Sequence, residues 1–194
     1  MRGVLRCVVM LIAGFGMLLP LSATTIVPLD LADLSFRAES IVHGTVLSAE
    51  PGTVQVGGGI LPTITYEVRV LEGFKGDFVT KGDSQVLEIT MIGDLKGNAE
   101  TGGPIRKLSS VEGLPRLTVG DQYLLFTTQP SQVGLSTTVG LGTGCFHISG
   151  DGDKAVVING YDNAGVFQGL SGMPSSGPVS YAALVEQLRN ILGQ

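Results

Sequence analysis

The sequence predicts a mainly β protein with a short helix near its N-terminal end and a second helix at its C-terminal end. Three observations carry this expectation. Residues 60–76, ILPTITYEVRVLEGFKG, form the longest unbroken run of strand-like alternation: Ile64, Tyr66, Val68 and Val70 fall on one face, Thr63, Thr65, Glu67 and Arg69 on the other. Glycine is abundant, 29 of 194 residues, and is scattered between β-like runs with no repeating period, the pattern of many tight turns. Helical spacing appears in two places, at Leu31, Leu34 and Ala38 behind Asp30, and at Leu184, Leu188 and Ile191 behind Ser180.

The first 23 residues read as an export leader. Arg2 and Arg6 supply positive charge, residues 8–19 form an apolar core, and Leu21-Ser22-Ala23 ends on a small residue. The apolar stretch is short of the roughly 20 residues that span a bilayer, so no stable membrane insertion is expected once the leader is removed. Removing it leaves residues 24–194, 171 residues, expected to be a single β-barrel domain with a C-terminal helix over about 180–192. This processed chain keeps 10 of the 12 Lys and Arg and all 17 Asp and Glu, a formal charge of −7, with no basic run longer than Arg106-Lys107. Nucleic acid and anionic membranes are therefore poor partners. Cys145 is the only cysteine left after Cys7 departs, so no internal disulfide can form and stability must come from packing.

Taken in order, Asp30 is expected to cap two or three helical turns that Ser40 ends. Residues 41–49 read as the first strand, Val42 and Val46 on one face and Ile41, His43, Thr45 and Leu47 on the other, with Gly44 marking a bulge or a close backbone crossing. Residues 51–59 hold four glycines and predict a loop or a weakly paired hairpin tip. Residues 84–92 alternate as a strand, and residues 96–115, without periodicity, read as a long surface excursion. Residues 121–128, containing Tyr123-Leu124-Leu125-Phe126, suit a strand buried on both sides. Tyr66, Val68, Tyr123, Leu125 and Phe126 are expected to share one core. Residues 133–139 alternate again, and residues 145–149 are expected to pair with 155–158 across the Gly150-Asp151-Gly152 turn.

Chemistry-bearing motifs are sparse. No G-x-x-x-x-G-K-[ST] string occurs, so a phosphate loop has no lysine at the needed spacing. Gly140-Leu141-Gly142-Thr143-Gly144-Cys145 has the spacing of a glycine-rich nucleotide loop for two positions only and reads better as a bend between strands. Gly169-Leu170-Ser171-Gly172 falls short of G-x-S-x-G, and His43 and His147 are the only histidines available as base. Cys145 and His147 stand two apart on one strand face. They form a candidate reactive thiol and base, beside the commoner reading of a semi-buried structural thiol. Metal binding lacks H-x-H, H-E-x-x-H and a second cysteine, and Asp151 with Asp153 fits turn chemistry better than a calcium loop. Neither a metal nor a cofactor is expected.

In sequence order, AESIVHGTV (38–46), LEGFKG (71–76) and GLPRLTVGDQYLLF (113–126) resemble a group of exported bacterial proteins, and more remotely the netrin-like domain of the tissue inhibitors of metalloproteinases. The resemblance implies an OB-like (netrin-like) barrel, expected here with five to seven strands. With two histidines, one cysteine after processing, few aromatics and no tryptophan, the chain has little equipment for catalysis and is expected to be a non-enzymatic module that binds another exported protein through its loops. Candidate partner-binding residues are then Thr24 and Thr25 at the processed terminus and Gly140, Gly142 and Gly144 in the bend. In the inhibitor family the resemblance implies that the first residue's amine and carbonyl chelate the protease zinc, a role that would fall to Thr24. This chain has neither the terminal cysteine nor the disulfides of that family. The alternatives are an inhibitor or partner of an exported metalloprotease, which the resemblance implies, and a cysteine-dependent enzyme using Cys145.

Overall fold

The computed structural model describes residues 29–94 and 113–194. The leader, Thr24, Thr25 and most of the 96–115 excursion lie outside the described residues. Helix α1, Leu31–Arg37, starts where expected: Asp30 Oδ1 accepts the Asp33 N–H at 2.7 Å, satisfying one of the free amides of the first turn. It stops at Ala38, whose backbone turns extended (φ −67, ψ 134), and the Lys75 ammonium donates to the Ser35 carbonyl at 3.0 Å, covering the exposed end. Leu31 and Leu34 are fully buried beneath it.

Eight antiparallel strands follow: β1 Ser40–Val56, β2 Gly59–Lys75, β3 Val79–Lys81, β4 Ser84–Ile92, β5 Gln122–Thr127, β6 Cys145–Ser149, β7 Val156–Asn159 and β8 Val179–Ser180. They form one sheet in the order β3-β4-β2-β1-β5-β6-β7-β8, and helix α2, Tyr181–Leu192, closes the chain. The mainly β class with both helices is as expected. Ser180 occupies the N-cap position of α2, but its hydroxyl makes no capping bond; the Tyr181 N–H is held by the Ala155 carbonyl at 2.9 Å.

The sheet is open, which corrects the expected barrel. β5 has one edge on β1 and gives the other to β6, so it has no edge left for β4. The segment 136–138, expected to belong to a strand over 133–139, instead forms a strap. Thr138 makes an isolated bridge to Thr127 of β5, and the Ser136 N–H reaches the Thr90 carbonyl of β4 at 2.9 Å. A closed barrel needs a full ladder with a consistent stagger at that seam; here one backbone bond spans it. The strands β6 to β8 continue the sheet past the curl.

Two apolar clusters result, one on each face. Leu31, Leu34, Ile41, Leu124, Phe126, Phe146, Val157, Leu184 and Leu188 fill the space between the sheet and the helices. Val42, Val46, Tyr66, Val68, Ile89, Leu125 and Cys145 fill the inside of the curl. Phe126 is therefore not in one core with Tyr66, Val68, Tyr123 and Leu125: successive strand residues point to opposite faces, and β5, buried on both, feeds both clusters. Each fully buried Val, Leu or Phe contributes about 1.5–3 kcal/mol.

The first strand runs further than the expected 41–49, to Val56, while the second, Gly59–Lys75, keeps nearly the expected bounds of 60–76. Residues 51–59 are not a loose loop. Pro51 faces Ile64, Thr53 faces Pro62, Gln55 faces Ile60 and Val56 faces Gly59, all in regular register. Gly57 (φ +59) and Gly58 (φ +78) make the two-residue turn, a conformation open to glycine at both positions. Gly44 sits at a register irregularity, and a Cβ there would lie 2.5 Å from Arg69 O, so both features read at that position are present.

Candidate functional site

Two surfaces have more structure than a plain fold requires. The first is a polar chain that ties α2 to the sheet. His43 on β1 and Glu72 on β2 are cross-strand neighbours, and Gln122 lies on the adjacent β5. Gln122 Oε1 stands 2.9 Å from His43 Nε2, the Tyr181 hydroxyl stands 2.9 Å from His43 Nδ1 and donates to Glu72 Oε2 at 3.2 Å, and Arg189 Nη2 donates to Glu72 Oε1 at 2.5 Å. A phenol has one proton, so donation to Glu72 leaves its oxygen to accept from His43 Nδ1–H, and a neutral His43 ring then accepts at Nε2 from the Gln122 side-chain amide turned to present its NH2. Burial raises the Tyr181 pKa, and the Glu72 carboxylate beside it raises it further. The phenol is thus held neutral, a donor and not a base. A shallow groove of about 430 Å³ lies alongside, lined by Glu72, Tyr181, Glu186, Arg189, Asn190 and Gln194. Among the described residues every buried side-chain nitrogen and oxygen has a partner. The arrangement works as a clamp. Its directly bonded members lie up to 138 residues apart, beyond the reach of sequence spacing.

The second surface is the outer half of the β1–β2 hairpin. β1 pairs with β5 only from Ser40 to Thr45, with Val46 exchanging backbone bonds with Asp121 and Gly120 just beyond. β2 pairs with β4 from Thr63 to Arg69, and the Pro62 carbonyl accepts the Gly93 N–H at 3.0 Å. Past these points the two strands bond only to each other among the described residues, and form a two-stranded ribbon. The outer part of the ribbon carries no charge: Pro51 to Tyr66 is a run of 16 residues without Asp, Glu, Lys, Arg or His. Val56 and Ile60 near its tip are 42% and 65% exposed. Bare strand edges are normally blunted by charge, and here Pro51 and the neighbouring Glu50 are all that does so.

The residues singled out from sequence fall elsewhere. Cys145 is buried in the curl, its thiol pKa pushed up to about 12 by desolvation, so at neutral pH it holds its proton. His147 shares its strand face but stacks edge-on against Tyr123 at 5.2 Å, and bonds Ser149 Oγ through Nδ1 (3.2 Å) and Asp121 Oδ2 through Nε2 (3.4 Å). Ser149, His147 and Asp121 thus line up as nucleophile, base and acid on paper. They lie on open surface, with His147 and Asp121 side chains 41% and 43% exposed, where water competes for every contact. Gly140 is exposed, while Gly142 and Gly144 are buried in the 3₁₀ turn Leu141–Gly144; a Cβ on Gly144 would come within 2.5 Å of Val139 O. The bend is packed against its own chain. Asp151 and Asp153 lie in the turn between β6 and β7, around the 3₁₀ segment Gly152–Lys154.

Compared with protein-family models, with curated proteins and with solved structures, the chain matches none of them. No helix among the described residues is long and apolar enough to cross a membrane.

Proposed function

We propose that this chain is an exported, non-catalytic binding module that engages another exported protein through its β1–β2 ribbon. The observation that carries this reading is the ribbon itself: a two-stranded extension, uncharged from Pro51 onward, whose outer backbone edges pair with no other strand among the described residues and whose tip bears apolar side chains. An extended segment added to such an edge gains main-chain hydrogen bonds, and side chains at alternate positions supply selectivity. The leader read from residues 1–23 supports export, and the resemblance to a netrin-like binding domain supports binding over catalysis. Cys145, protonated and buried, supports the same choice.

The test is site-specific photocrosslinking in the native extracytoplasmic compartment, with the photoreactive residue at Gln55 in one variant and at Asn190, in the α2 groove, in a control. Adducts confined to position 55 are expected. Adducts at 190 alone, or none at 55, would overturn the reading.

A further inference from the structure

The geometry points to a second copy of this chain as an occupant of the ribbon edge, the two copies joining β1 to β1 across a two-fold axis. This rests on the ribbon being the binding surface, and names what binds there. The Pro62 carbonyl points away from β1, since it accepts the Gly93 N–H on the far side. Thr53 is the residue opposite Pro62, so its own N–H and C=O point away from β2, as do those of Gln55 two residues on. Pro51, next in this outward series, has no N–H to give. The usable edge is therefore bounded by Pro51 on one side and the Gly57-Gly58 turn on the other, leaving 52–56 with Val54 at its midpoint.

An antiparallel pairing centred on Val54 is self-complementary. Thr53 of each copy meets Gln55 of the other, each pair exchanging two backbone bonds, and Val54 meets Val54 as the closely spaced pair between them. Val54 and Leu61 are cross-strand partners and share a face, so pairing joins Leu61, Val54 and their two-fold mates into one apolar row. The uncharged stretch suits self-association: a processed chain of formal charge −7 repels its copy, and a contact made between uncharged segments adds no local like-charge pair to that repulsion. The contact is far smaller than the roughly 1,600 Å² of a standard interface, which makes the pair weak and concentration-dependent.

Sedimentation velocity of the purified processed protein over a concentration series reads this directly. The weight-average mass is expected to rise towards twice the chain mass. Val54→Lys and Val54→Glu, placing like charges on the axis, are each expected to stay monomeric with unchanged circular dichroism, and an equimolar mixture of the two is expected to recover the dimer. A wild type that stays monomeric, a charged variant that still dimerises, or a mixture that does not recover would overturn the pairing. A monomer whose position 55 still crosslinks to a different protein would overturn self-pairing alone and leave the binding reading standing.

Discussion

At Gly76 the backbone has φ +92, and a Cβ would come within 2.5 Å of Ser40 Oγ and 3.0 Å of Glu39 O, where α1 hands over to β1. Its neighbour Lys75 caps α1, and Phe74 lies in the helix-side cluster. The FKG turn is thus a splice between helix and sheet, which is why its residues specify fold. Gly76→Ala is expected to cost about 1–3 kcal/mol from backbone strain alone, read as a lowered denaturant midpoint. Cys145 gives a second residue-scale expectation. Its pKa is raised from 9.0 to about 12 on folding, so the native state keeps the proton that the unfolded chain releases. Stability from this group is complete below pH 9 and is lost as pH rises through the window from about 9 to about 12, by about 1.4 kcal/mol per pH unit. Tyr66 and Tyr181, both raised mainly by burial, act in the same direction. In Cys145→Ala the alkaline slope of the unfolding free energy should be shallower than in wild type; an unchanged slope would contradict the burial of the thiol. The buried alternation of Ile64, Tyr66 and Val68 was legible in the sequence, because period 2 reports a face directly. The separation of Phe126 from them was not, because a strand apolar on both sides has no pattern to say which face is which.

Among the elements, α2 shows what spacing can and cannot reveal. Leu184 and Leu188 are fully buried, as their separation of four implies, and Leu188→Ala should cost about 2–5 kcal/mol. The clamp from Tyr181 to His43 and Glu72 was invisible, since it depends on register between β1, β2 and β5. Tyr181→Phe is expected to destabilise by about 1–3 kcal/mol, leaving a Glu72 oxygen and a His43 nitrogen without their bond. The check is a thermal melt set against Tyr161→Phe, whose ring is 44% exposed. The ribbon and the strap were exchanged in the sequence reading for one reason. Four glycines in 51–59 suggested looseness, although two of them only build the turn, and the alternation of 133–139 suggested a strand, although Thr138 alone bridges a strand, with the Ser136 N–H and Thr137 Oγ1 reaching Thr90 O and Met91 Sδ of β4. Strand character is settled by whether an edge is available to pair with, which composition does not record.

For the molecule as a whole, the difference between the expected barrel and the open sheet is decided at one seam. Closure would consume the edges of β4 and β5; instead β6 takes β5, β3 takes the start of β4, and the strap meets what is left. The long hairpin then projects past both neighbours, and among the described residues its uncharged stretch presents an open backbone edge. That edge is the centre of the functional account, and amide hydrogen exchange at single-residue resolution tests it most directly. The N–H groups of Thr53 and Gln55 should exchange fast in dilute protein, while Val54 and Val56, bonded across to β2, exchange more slowly. At high protein concentration, or with a crosslinked partner added, protection should appear at Thr53 and Gln55 first. Exchange at these two amides that stays fast under every condition, with protection arising elsewhere on the surface, would contradict the account.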